Sequence, residues 1–202
     1  MKKYIFLILG LLQFSIAIAQ NQNTSIFKHE WAWLGLDFSQ VKLVGTEGFN
    51  DVPKIKDYYF NAWNVLMETE NSKYNIPKIL RLSTVHHYPS FFEMRNANTS
   101  IEGLVVKQST ILGTKQIEEI VSSYNFNAVK EEIAFMLIVE SLNKRDNFGS
   151  YWATIVNTKT GKVINTERVT GIPKGFGFRN YWAGSMYDVL KQLRLKKWHK
   201  NF

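Results

Sequence analysis

The 202-residue sequence contains no cysteine and no long hydrophobic run once its first segment is passed. Without cysteine there is no disulfide, thiolate metal site, cysteine nucleophile or iron–sulfur cluster, so the core must hold itself together by burial. The longest later apolar stretch, Ile133 to Val139, falls far short of the ~18 residues that span a bilayer. Familiar catalytic signatures are missing as well. The chain has no GxSxG nucleophile elbow, no GxxxxGK(S/T) phosphate loop and no SxxK, and His29-Glu30 lacks the second histidine of a zincin motif. These absences weigh against an enzyme, although a site assembled from distant residues would escape such a search.

What opens the chain is a three-part export pattern. Lys2 and Lys3 precede an apolar stretch from Tyr4 to Leu12 that continues through Phe14 and Ile16, and the small residues Ala17 and Ala19 follow. The pattern predicts a signal peptide over residues 1–19 cleaved after Ala19, a flexible mature N-terminus over 20–30 and a single domain over 31–202. Gln20, rather than the cysteine that a lipoprotein acylates, stands after the cut, so a soluble periplasmic or secreted protein is expected. A composition of 45% hydrophobic and 14% aromatic residues is that of a folded globule rather than a disordered chain. The two leader lysines leave 23 of the 25 basic residues against 17 acidic ones, a net charge of +6. Export argues against nucleic acid and favours an envelope protein or an anionic envelope component as partner. Lys191, Arg194, Lys196, Lys197 and Lys200 gather at the C-terminus, where they complement a helix dipole or, as a second reading, touch a membrane surface.

Gln40 to Thr46 reads as a short strand, and Asn50 or Asp51 before Pro53 starts a helix over Pro53 to Thr69. Ile79 to Val85 reads as a second strand through Leu80 and Leu82, and His86 to Glu102 as an irregular stretch. Thr114 is placed as the N-cap of a helix carrying Ile117, Ile120, Val121 and Tyr124. Ile133 to Leu142 is nearly continuous apolar, as in a central strand covered on both faces. Tyr151 to Asn157 and Lys162 to Thr170 follow as a hairpin turning at Thr158 to Gly161. A last helix, capped by Asn180, buries Trp182, Met186, Val189, Leu190 and Leu193. The expected fold is a single-domain layered α/β sandwich: a mixed sheet with helices packed on it and a C-terminal antiparallel meander followed by a closing helix.

The best candidate for chemistry is Gly175-Phe176-Gly177-Phe178-Arg179-Asn180. It falls one glycine short of the dinucleotide fingerprint, and its preceding strand belongs to a hairpin, so neither nucleotide nor any other cofactor is expected. Arg179, Asn180, Tyr181 and Trp182 nevertheless combine a cation, helix N–H donors and aromatic faces suited to an anion, a sugar or a carboxylate. The same aromatics also suit the seam between sheet and helix. His86 and His87 are adjacent and point to opposite sides if extended, without a carboxylate cluster nearby in sequence, so no metal site is expected.

Through the turn Asn157-Thr158-Lys159-Thr160-Gly161-Lys162-Val163 and the closing helix, Ile133 to Lys191 resembles a periplasmic α/β module. That module occurs in the curli secretion-channel lipoprotein, the TolB N-terminal domain and the lipoprotein activators of penicillin-binding proteins. Trp33-Leu34-Gly35-Leu36-Asp37-Phe38-Ser39 and Gly175 to Gly184 make the chain similar to small exported proteins of unknown function from Bacteroidetes-type bacteria. The resemblance implies a non-catalytic binding or accessory protein of the envelope; the alternative is an envelope hydrolase with catalytic residues not identifiable from sequence. A flat exposed aromatic patch beside the last helix favours the first and a deep pocket with converging ionisable groups the second; a pocket holding His86 or His87 with acidic partners would overturn the binding reading.

Overall fold

A computed structural model describes Ile26 and residues 29–195; the predicted signal peptide over 1–19, most of the stretch over 20–30, and Lys196, Lys197 and Lys200 lie outside the described residues. The apolar run predicted as a central strand forms β5 (Ile133–Asn143), buried at every position. One edge of β5 is paired along its length with β6 (Phe148–Asn157), antiparallel, and β6 pairs in turn with β7 (Lys162–Gly171). The other edge is shared. β1 (Trp31–Asp37) runs parallel to Ile133–Ile138, and β2 (Lys42–Val44) runs parallel to Ser141–Asn143, with the chain leaving the sheet between them. Outside these lie the short parallel strands β3 (Val85–His87), on β1, and β4 (Val105–Val106), on β2.

Helices cover both faces. α1 begins at Val52–Lys54, passes through a π-helical segment at Ile55–Tyr59 and finishes as Phe60–Thr69. The predicted start signal operates there: Asp51 Oδ1 accepts from Lys54 N at 3.1 Å, and Pro53 sits in the first turn. α2 (Ile76–Leu80) and α5 (Gly177–Leu195) share that face with α1, packing on Trp31, Trp33, Phe135, Leu137 and Tyr151. The other face carries α4 (Thr114–Ser122) with Phe92 and Phe126, packed on Ala32, Leu34, Met136, Ile138 and Trp152. The expected layered α/β sandwich, with its mixed sheet, meander and closing helix, is therefore the observed fold.

Four local expectations differ. Ile79 to Val85 is not one strand, because Asn75 Oδ1 accepts from Lys78 N at 2.8 Å and Pro77 occupies the first turn, which starts α2 instead. Only Val85 joins the sheet, and it does so with His86 and His87, which had been expected in an irregular stretch. Gly113, not Thr114, precedes α4, and α5 begins at Gly177 rather than after an Asn180 cap. The hairpin turn is as predicted: Asn157 Oδ1 accepts from the amides of Lys159 and Thr160, both at 3.0 Å, and Gly161 adopts φ 68°.

Two carboxylates are buried on the α4 face. Glu140 interrupts the apolar run of β5 and accepts from Arg168 Nε at 3.0 Å, Trp152 Nε1 at 2.9 Å and Leu112 N at 3.1 Å. These donors compensate its desolvation, which an unpaired carboxylate would not survive as a charge. Asp37 closes β1, and two buried asparagines hold that strand end in place. The pairing register shifts between Trp33 and Leu36, where Gly35 adopts φ 94°. Asn64 of α1 holds the backbone just beyond: its Oδ1 accepts from Leu36 N at 2.8 Å, and its Nδ2 donates to Leu36 O at 3.1 Å. Asn96 accepts from Phe38 N at 2.7 Å and donates to Leu36 O at 3.0 Å, and it lies on α3 (Glu93–Ala97). A Cβ on Gly35 would meet Asn64 Oδ1 at 2.4 Å. Gly35→Ala should therefore destabilise the fold by about 2 kcal/mol or more, from the left-handed backbone plus the displaced asparagine, measured by urea unfolding.

Candidate functional site

The segment singled out in the sequence sits where β7 hands over to α5. β7 is antiparallel to its neighbour, so the glycines do not follow a parallel strand as a dinucleotide loop requires. They serve a close approach of backbones instead. A Cβ on Gly184 would lie 2.1 Å from Lys174 O, and one on Gly175 would lie 2.7 Å from Asn180 O. Lys174 N also donates to Tyr181 O at 3.1 Å, so the loop is fastened to the first turns of α5. Phe176 projects from this fastened loop and is 96% exposed, and Ile172, four residues earlier, is 68% exposed.

The four predicted binding residues part company here. Trp182 is fully buried, stacked on Phe49 with ring centroids 5.8 Å apart, and belongs to the core. Arg179 and Asn180 are exposed, and Arg179 Nε donates to Asn180 Oδ1 at 3.4 Å. The carbonyl of Arg179 accepts from Trp63 Nε1 at 2.9 Å, which fixes the backbone from which the guanidinium extends. Tyr181 is half-buried; its hydroxyl donates to Asn147 Oδ1 at 2.8 Å, and Lys144 Nζ lies 4.0 Å from its ring centroid.

Through Tyr181 the loop adjoins a cleft of about 820 Å³ lined by Gly45, Thr46, Glu47, Lys107, Lys144 and Arg145, with Gly48 against Lys144. These residues follow the carboxyl ends of β2, β4 and β5, the end of a parallel sheet where ligand crevices form. Taken together, the loop and cleft set five cations, Lys107, Lys144, Arg145, Lys174 and Arg179, against Glu47 and Asp146. The sequence marked the loop but not the cleft, whose residues come from three separate connections.

At the opposite end of the strands, His29, His86 and His87 gather around an open cleft of about 770 Å³ with Glu30, Glu131 and Glu132. His86 Nε2 lies 3.1 Å from Glu30 Oε2 and its Nδ1 lies 4.0 Å from Glu131 Oε1; His29 Nδ1 is 3.9 Å from Glu132 Oε2. His87 pairs elsewhere, its Nδ1 lying 2.7 Å from Glu68 Oε2 on α1, as alternation along β3 requires. Tyr88 OH donates to Glu131 Oε2 at 2.7 Å, and burial raises its phenol above the ordinary value. Among the described residues no three His, Cys, Asp or Glu side chains are arranged to hold a metal. The histidines were visible in the sequence; their acidic partners, 56 residues away for His86 and Glu30, were not.

No protein-family model matches the chain, and no curated protein matches it. Among solved structures it is similar to lipoprotein GNA1162 from Neisseria meningitidis, with 10% identity over 73% of this chain and 84% of that one and a TM-score of 0.31. It is also similar to the hypothetical protein CT253 from Chlamydia trachomatis, with 10% identity over 85% of this chain and 95% of that one and a TM-score of 0.30.

The different burial of neighbouring candidates has a measurable consequence. Trp182→Ala should lower unfolding free energy by about 3–5 kcal/mol, as for other buried aromatics, whereas Arg179→Ala and Phe176→Ala should stay within about 0.5 kcal/mol of wild type in urea titrations.

Proposed function

We propose that this chain is an exported, non-catalytic binding protein of the bacterial cell envelope, and that it recognises an acidic envelope protein with the face formed by the loop before α5 and the adjoining basic cleft. The observation that carries the reading is Phe176, 96% exposed on a loop fastened by the Gly175 and Gly184 approaches. A large aromatic held in water on an ordered backbone contributes little to the fold. In a partner's pocket it would gain about 1.5–3 kcal/mol from burial, with little loop entropy left to lose. Arg179 beside it adds a planar donor for a carboxylate, and arginine and aromatic anchors dominate protein interfaces. The surrounding lysines favour encounter with an acidic surface and make that encounter sensitive to salt.

A second reading has its own observation. The pairing of His86 with Glu30 and Glu131 in a cleft supplies the elements of general acid–base chemistry, as an envelope hydrolase would need. The cleft is open rather than deep, and none of its described lining residues is a serine, threonine or cysteine, so hydrolysis there would rest on water activated by the His86–glutamate pair.

The binding reading is tested by capture from envelope extract using wild type, Phe176→Ala/Arg179→Ala and His86→Gln, all checked for folding. The expected outcome is salt-sensitive capture of a protein partner by wild type and His86→Gln, lost in the double variant. Capture that is unchanged in the double variant, or recovered equally well on protein-free anionic vesicles, contradicts the reading.

A further inference from the structure

A third cleft, independent of the face just described, opens at the carboxyl end of β1. Its anchor is Asp37, fully buried, whose Oδ1 accepts from Ser39 N at 2.8 Å and whose Oδ2 accepts from Tyr124 OH and, at 3.2 Å, from Arg95 Nε. Arg95 is held from three further directions. Its Nε reaches Ser39 Oγ at 3.0 Å, its Nη1 donates to Ser123 Oγ at 3.1 Å, and its guanidinium carbon lies 4.8 Å from the Tyr124 ring centroid. Asn96, one residue along α3, is itself clamped to Leu36 and Phe38, so the helix that carries Arg95 is pinned to the strand that carries Asp37. Burial, followed by the Asp37 charge, pushes the Tyr124 phenol well above its ordinary value, which keeps it a donor to that carboxylate.

The arginine is thus oriented but not used up. Its side chain is 30% exposed, and among the described residues Nη2 donates to no protein atom. It faces a cleft of about 550 Å³ lined also by Ser39, Phe91, Met94, Thr99 and Asn125. Thr99 is 8% exposed, and its hydroxyl has no hydrogen-bond partner, an unsatisfied group of the kind that native proteins seldom leave without a purpose. Ser39 Oγ accepts from Arg95 and Gln40, which leaves its proton available. Phe91 and the 77% exposed Met94 give the same cleft an apolar side.

We propose that this cleft binds a small organic carboxylate bearing an apolar group, with Arg95 taking the carboxylate and Phe91 and Met94 flanking the apolar part. Recognition follows from division of labour. Asp37 and Ser123 set the plane of the guanidinium, so Nη2 and the second proton of Nη1 would meet a planar anion without further loss of rotamer freedom. A lysine at the same position would supply charge without the fork.

The test uses 3-phenylpropionate as probe, with 3-phenylpropionamide and inorganic phosphate as comparators, read by the NMR signal of the Arg95 Nε–H and by calorimetry. Saturable binding of the carboxylate but not the amide is expected, weakened roughly tenfold or more in Arg95→Lys. Met94→Asp, at an exposed position that carries no fold, should weaken it as well by repelling the anion, and it keeps the test decisive if Arg95→Lys fails to fold. Equal binding of the amide, tighter binding of phosphate, affinity unchanged in Met94→Asp, or no saturation up to about 10 mM, beyond the range of weak ligands, would overturn the proposal.

Discussion

With a strand on each side and helices over both faces, β5 has no water available to any of its backbone groups, so every one must be paired within the protein. The rest of the architecture follows from meeting that requirement. One edge is satisfied by a single long antiparallel strand. The other is satisfied in two pieces, β1, which bulges at Gly35 and ends at Asp37, and then β2 after the chain has left the sheet and returned. Asn64 and Asn96 bond the backbone of Leu36 and Phe38, where β1 ends, and both reach in from helices. Ser39, in the connection that follows β1, lines the Arg95 cleft.

A sheet built this way divides its chemistry by direction. The amino ends of β1 and β5, with β3 alongside, collect histidines and glutamates in pairs, whereas the carboxyl ends of β2, β4 and β5 collect lysine and arginine. The basic end adjoins the exposed Phe176, and the acidic end has no comparable apolar anchor among its lining residues. That asymmetry is why we propose recognition at the basic end: charge would bring an acidic partner near, and a fixed aromatic would hold it.

Features set by neighbouring residues were legible in the sequence. The meander, its Thr158–Gly161 turn, the Asp51-Pro53 helix start and the through-buried strand each depend on a few adjacent side chains. The stretch Ile79 to Val85 misleads because Leu80 and Leu82 alternate as a strand does, while the decisive signal, Asn75 with Pro77, lies upstream of it. Trp182 carried two signals at once: its place in an aromatic loop suggested a ligand contact, while its spacing with Met186, Val189 and Leu193 placed it in the core, and the helical period prevailed. Neither the Asp37–Arg95 pair, 58 residues apart, nor Glu140 with Arg168, 28 apart, leaves any local trace. Such sites exist only after the sheet has brought their strands together.

The central claim is that the loop before α5 is an ordered display of Phe176 and not a mobile connection that happens to contain it. Backbone ¹⁵N relaxation measures this directly. The account predicts order parameters for Lys174 to Arg179 near the roughly 0.85 of rigid backbone, with the Phe176 ring still accessible to solvent. Values below about 0.6 across the loop, or a Phe176 ring shielded from solvent, would contradict it.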